Sequence, residues 1–140
     1  MERKGTILIA DQDAVWSGSM ARLLGPEGYA VVGAHHAVDA LFQARMRRPD
    51  LILLDLNMPR KDGRKALKEI KADPHLRTTP VVILTTSQED EDILQSYETG
   101  ASSFITKPVT FRGLLDLART LGSYWLETVK LPPQKAERRN

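Results

Sequence analysis

Leu51-Ile52-Leu53-Leu54-Asp55, followed by Leu56-Asn57-Met58-Pro59, is a short aliphatic run closed by a carboxylate and broken by Asn and Pro. A run this short does not fill a helix. Apolar on consecutive rather than alternate residues, it predicts a strand covered on both faces, the signature of a parallel sheet. Met58-Pro59 and Asp62-Gly63 then mark a loop.

Working outward, the same grammar recurs. Thr6 to Ala10 is a first strand, ending in Asp11-Gln12-Asp13; Tyr29 to Val32 is a second strand; Val81 to Leu84 is a fourth, ending in Thr85-Thr86-Ser87; Ser103 to Ile105 is a short fifth. Between them lie stretches of helical period. Trp16, Met20, Leu23 and Leu24 form one stripe, stopped at Gly25-Pro26. Val38, Leu41, Phe42 and Met46 form another. Leu67 and Ile70 mark a third helix broken near Asp73-Pro74, and Ile93, Leu94 and Tyr97 a fourth with Gly100 as its C-cap. Thr110 opens a last helix carrying Leu114, Leu117, Ala118, Leu121 and Trp125.

Strict alternation of strand and helix predicts an α/β fold: a doubly wound, five-stranded parallel sheet with five helices, in three α/β/α layers. Such sheets bind ligands beyond the carboxyl ends of their strands. Asp11, Gln12 and Asp13, Asp55, Thr85 and Lys107 all follow strand ends, so carboxylates, a hydroxyl and an ammonium are expected on one rim. Singly, each has an ordinary reading as a cap, a turn residue or a solvated lysine. Jointly, they suit phosphoryl transfer. Clustered carboxylates attract a hard cation such as Mg²⁺, the hydroxyl and ammonium neutralise phosphoryl oxygens, and a carboxylate can itself be the nucleophile.

Composition narrows the classes. With 140 residues the chain has the size of one domain, and 41% hydrophobic residues suffice for a core. The absence of cysteine excludes disulfides, thiolate metal sites and thiol catalysis. No apolar run approaches a membrane span, and Met1 to Gly5 lacks a signal-peptide core, so the expectation is a cytoplasmic protein. The net charge of +2 includes Lys135, Arg138 and Arg139, read as a solvated basic end rather than a nucleic-acid patch. His35, His36 and His75 lack ligand spacing and are expected on the surface or in loops.

Residues 51–59 with Asp62-Gly63 resemble the phosphoacceptor segment of bacterial response-regulator receiver domains, of the chemotaxis-regulator-like, flavodoxin-like kind. Val81-Val82-Ile83-Leu84-Thr85 resembles their fourth strand, and Gly100 to Pro108 their fifth strand with its Lys-Pro. The likeness covers about residues 6 to 122. It implies that Asp55 is the phosphoacceptor and a metal ligand, that Asn57 lends its main-chain carbonyl, and that Asp11 belongs to the acidic pair holding Mg²⁺. It also implies that Thr85 and Lys107 bind phosphoryl oxygens, that Phe104 is an aromatic switch moving with Thr85, and that Lys107-Pro108 is cis. One position departs. Where the family has a second acidic residue, this chain has Gln12, whose neutral carbonyl predicts a weaker Mg²⁺ site.

Ser123 to Pro132 resembles the extended last helix of single-domain regulators associated with bacterial phytochrome kinases. The resemblance implies a receiver domain over 1–131 and a sensor histidine kinase of phytochrome type as donor; Pro132-Pro133 and the polar residues after it predict a disordered tail over 132–140. At this length no DNA-binding output domain is expected, so output would be contact with a downstream protein. Tyr124, Trp125, Leu126 and Val129 extend the apolar pattern past what one domain needs, which predicts a homodimer through the last helix. Two other readings remain. Ile7 to Val15 also resembles the first motif of haloacid-dehalogenase-type phosphohydrolases, with Asp11 as nucleophile and Asp13 as acid/base. That family needs an acidic pair after its lysine, and Pro108-Val109-Thr110-Phe111-Arg112-Gly113 has none. The other is a phosphorylation-independent interaction module, supported by Gln12 alone.

Overall fold

The run that opens the sequence reading, Leu51–Asp55, is a strand buried along its whole length at the middle of a sheet. The computed structural model describes residues 4–58, 63–85, 97–108 and 110–121. Five parallel strands, β1 (Gly5–Ala10), β2 (Tyr29–Ala34), β3 (Leu51–Asp55), β4 (Val81–Thr85) and β5 (Ser103–Thr106), lie in the order β2-β1-β3-β4-β5. Helices α1 (Ala14–Leu24), α2 (Ala37–Arg47), α3 (Gly63–Ala72) and α4 (Phe111–Thr120) lie among the described residues, and residues 97–99 are helical as well. Ile93 and Leu94 of the expected additional helix, the loop residues 59–62, and the apolar extension and tail beyond Leu121 lie outside the described residues.

Side chains alternate across the central strands as the pleat requires. Leu8, Ala10, Ile52, Leu54, Val81 and Ile83 enter a core shared with α2 and α3. Ile7, Ile9, Leu51, Leu53, Val82 and Leu84 enter a second core beneath α1 and α4. Both faces are therefore covered, which is why the strands read as continuous apolar runs. Each fully buried Leu or Ile contributes about 1.5–3 kcal/mol of hydrophobic stabilisation.

The helix ends follow local chemistry. The Asp13 carboxylate caps α1, accepting from the Val15 and Trp16 N–H groups at 3.0 Å each. Gly25-Pro26 does not stop this helix outright. The chain tightens into a 3₁₀ turn, Gly25–Glu27, where proline sits at the first positions and needs no N–H, and it turns away at Gly28 with φ 104°. Thr110 caps α4 by accepting from the Gly113 N–H at 3.0 Å. Gly100 closes the helical residues 97–99 with φ 119°, its N–H donating to the Tyr97 carbonyl at 3.0 Å.

The stripe read on α2 needs correction. Of Val38, Leu41, Phe42 and Met46, only Leu41 is buried; Val38, Phe42 and Met46 are 51%, 55% and 65% exposed. The buried face is instead Ala37, Ala40, Leu41 and Ala44. Small side chains let this helix lie close to the sheet, and the large ones are turned to solvent. No helix among the described residues is long and apolar enough to cross a membrane.

Candidate functional site

The strand order reverses between β1 and β3, and a doubly wound sheet opens its crevice there, beyond the carboxyl ends of the strands. Asp11 follows β1 and Asp55 ends β3, so both carboxylates stand at that point. The Asp11 N–H continues the β1–β2 ladder by donating to the Ala34 carbonyl at 2.9 Å, which fixes where its side chain begins. Both carboxylates then fold back in the same way. Asp11 Oδ1 accepts from the Asp13 N–H at 2.8 Å, and Asp55 Oδ1 accepts from the Asn57 N–H at 2.9 Å. Asp11 is 0% exposed and Asp55 5%.

Two buried acids need a cation. Lys107, carried just past β5, places Nζ 2.7 Å from Asp11 Oδ2. Burial pushes the Asp55 carboxyl above the usual carboxylate range. The Asn57 N–H opposes this, the charge and hydrogen bonding of Asp11 add to it, and Lys107 offsets part of it. Asp55 is thus a buried carboxylate whose charge a further cation would favour.

The remaining sequence-predicted residues distribute as follows. Thr85 ends β4 opposite Thr106 of β5, so its backbone reaches the same rim. Asn57 and Gln12 are exposed. Asp13 follows the site, and its Oδ1 is engaged in capping α1. Phe104 of β5 is half-buried and packs against the core shared with α2 and α3. The expectation that Lys107-Pro108 is cis is not met: no cis peptide bond occurs among the described residues. The trans form is the intrinsically preferred one, and here the Pro108 carbonyl is held by the Trp16 indole N–H at 2.9 Å.

Sequence reasoning missed two neighbours of the site. His35 is an exposed loop residue, as expected, but its Nδ1 also lies 3.0 Å from the Asp11 carbonyl oxygen. Trp16 was read on the apolar stripe of the first helix; its ring also faces Lys107 Nζ at 5.2 Å from the centroid. The position of His35 directly after β2 was the available signal, since every strand end points to this rim. His36 is a helix cap, its ring accepting from the Asp39 N–H at 3.1 Å.

A buried acidic pair with a lysine at the switch point of this fold defines a receiver domain. Residues 7–119 match the response regulator receiver domain, and the chain belongs to that family. These are signalling domains rather than metabolic enzymes, and the phosphohydrolase reading is set aside.

The sequence is 49% identical over 85 residues to response regulator Rcp1 of a Synechocystis strain, covering 61% of this chain and 58% of that protein. Matches to the first curated relatives span 50–62% of their lengths. The solved Mn(2+)-bound form of Rcp1 superposes with a TM-score of 0.82 at 33% identity, covering 92% of this chain and 99% of that one. The phosphorylated cyanobacterial phytochrome response regulator RcpA gives 0.84 at 36% identity, with the same coverage.

Proposed function

We propose that this chain accepts a phosphoryl group on Asp55 from the phosphohistidine of a sensor kinase and signals by altering a protein-binding surface. The observation that carries the reading is the pairing at the switch point. Asp55 is a buried carboxylate oriented by the Asn57 N–H, beside an Asp11–Lys107 ion pair. In the transfer, an Asp55 oxygen forms the new P–O bond while the donor P–N bond breaks, its electron pair returning to the imidazole nitrogen. Lys107 neutralises one phosphoryl oxygen and the Thr85 hydroxyl donates to another. Turnover is confined to self-phosphorylation from small donors and self-dephosphorylation. Thr85 and Phe104 carry the change outward.

Mg²⁺ fits the residues present. Among the described residues no cluster of three acidic, His or Cys side chains is placed to hold a metal. Mg²⁺ commonly takes only one or two carboxylates and completes its shell with water and phosphate. Asp11, Asp55 and the Asn57 main-chain carbonyl would hold it, with Gln12 offering a neutral oxygen in place of an acid. The ion supplies positive charge to the phosphoryl oxygens. The Mn(2+)-bound form of Rcp1 and the phosphorylated RcpA support this reading by similarity.

The likeness to the phytochrome response regulator RcpA supports a phytochrome-type kinase as donor. A cytoplasmic setting, a receiver unit over 1–131 with a tail over 132–140, and a homodimer through the last helix are proposed from the sequence alone. The central test is intact mass after incubation with acetyl phosphate and Mg²⁺. The native chain gains one phosphoryl group and Asp55→Asn gains none; equal labelling of the mutant would refute the assignment.

A further inference from the structure

Trp16 is buried in the core beneath α1 and α4, where a leucine would serve as packing. The indole does more. A buried indole N–H requires an acceptor, and this one donates to the Pro108 carbonyl, 92 residues away, at 2.9 Å. Pro108 is held from its other side as well. A Cβ added at Gly113, in the first turn of α4, would stand 2.9 Å from the Pro108 Cβ, so helix and proline are already in close contact. The main chain next to Lys107 is thereby fixed between α1 and α4. The ring also lies against the ammonium, with Lys107 Nζ 5.2 Å from its centroid and the lysine side chain only 13% exposed. A cation over an indole face is attracted by the ring quadrupole, more strongly where water is excluded.

We propose that Trp16 is a positioning residue for Lys107. Its N–H anchors the Lys107-Pro108 segment, and its ring backs the ammonium so that Nζ rests on Asp11 and turns toward a phosphoryl group on Asp55. The second half rests on the phosphoacceptor reading; the first does not.

The test separates the two. The chain has two tryptophans, so Trp125→Phe leaves Trp16 as the only indole emitter. In that background and with no phosphoryl donor, Lys107→Met shifts the Trp16 emission, because the cation leaves the ring. Unchanged emission overturns the contact whether or not Asp55 is phosphorylated. Labelling by acetyl phosphate in otherwise native protein then reads the positioning. Trp16→Leu, which loses ring and N–H together, slows it about tenfold; Trp16→Phe, which keeps a ring behind the ammonium and loses only the N–H, slows it no more than about threefold. A native rate in the leucine variant overturns the role, and equal losses in both variants overturn the ring's part in it. Thermal unfolding of each variant shows that the fold is retained. If the native chain takes no label, the phosphoacceptor reading fails and the emission result alone decides the contact.

Discussion

Gly63 lies so close to the phosphoacceptor strand that a Cβ on it would stand 2.5 Å from the Asp55 carbonyl oxygen and 2.7 Å from the Leu56 Cα. Its N–H donates to the Leu56 carbonyl at 3.1 Å, so α3 begins directly against the main chain that carries Asp55. Backbone on both sides leaves nothing to yield. Gly63→Ala is expected to cost about 2–4 kcal/mol in urea unfolding, as overpacking against fixed atoms does. It also slows phosphorylation of Asp55, because the acceptor moves with the displaced strand end. Stability within about 0.5 kcal/mol of native would show that the helix start adjusts freely.

The raised Asp55 pKa gives a signed pH dependence. A carboxyl whose folded-state pKa lies above its unfolded value favours folding while protonated. That contribution is complete below the unfolded value of 3.8 and is lost as pH rises through the folded one. Asp55→Asn retains an oxygen to accept the Asn57 N–H and carries no charge. The variant is therefore expected to melt above native at neutral pH, with the gain shrinking as pH falls and vanishing below the unfolded pKa. A melting series by circular dichroism across this range reads it. A variant less stable than native at pH 7 would show that the Lys107 attraction outweighs burial.

Much of the fold was legible because the strands are short, apolar on both faces and punctuated by Asp, Thr and Lys at their ends. The caps at Asp13 and Thr110 are equally local, each set by a side chain reaching two or three residues onward. What escaped was set by partners distant in sequence. Periodicity marked α2 as amphipathic but could not say that alanines face the sheet while Phe42 and Met46 face solvent. The strand ends placed Asp11, Asp55 and Lys107 on one rim, and the structure brings these three together there. That Lys107 would settle on Asp11, or that Trp16 and His35 would border the pair, depends on contacts from 24 to 96 residues apart that no spacing encodes.

The proposed association through the last helix rests on the sequence Tyr124, Trp125, Leu126 and Val129, because Leu117 and Ala118 of α4 and the following Leu121 are already buried in the domain. Aromatic side chains concentrate at interface centres, and a symmetric pair would bring each such patch against its mate. Trp125→Ala is expected to weaken dimerisation by about 2 kcal/mol, roughly thirtyfold in Kd. Sedimentation equilibrium decides it: a monomer at tens of micromolar for the native chain, phosphorylated or not, would refute the dimer.

Gln12 is the departure most open to direct repair. Asp11 and Asp55 are buried, Lys107 already holds one Asp11 oxygen, and Asp13 Oδ1 is taken up by the α1 N-terminus. The position next to Asp11 therefore offers a neutral oxygen where an acid would add charge. Gln12→Asp restores a charge next to the divalent ion, a direct Coulomb attraction reduced by water at this exposed position. Mg²⁺ affinity is expected to rise at least about tenfold, or about 1.4 kcal/mol. Trp16, facing Lys107 at 5.2 Å, makes fluorescence titration the natural readout, in the Trp125→Phe background. Unchanged or weaker binding in Gln12→Asp would mean that residue 12 is not a ligand position. The acidic pair of the family would then have its counterpart elsewhere in this chain.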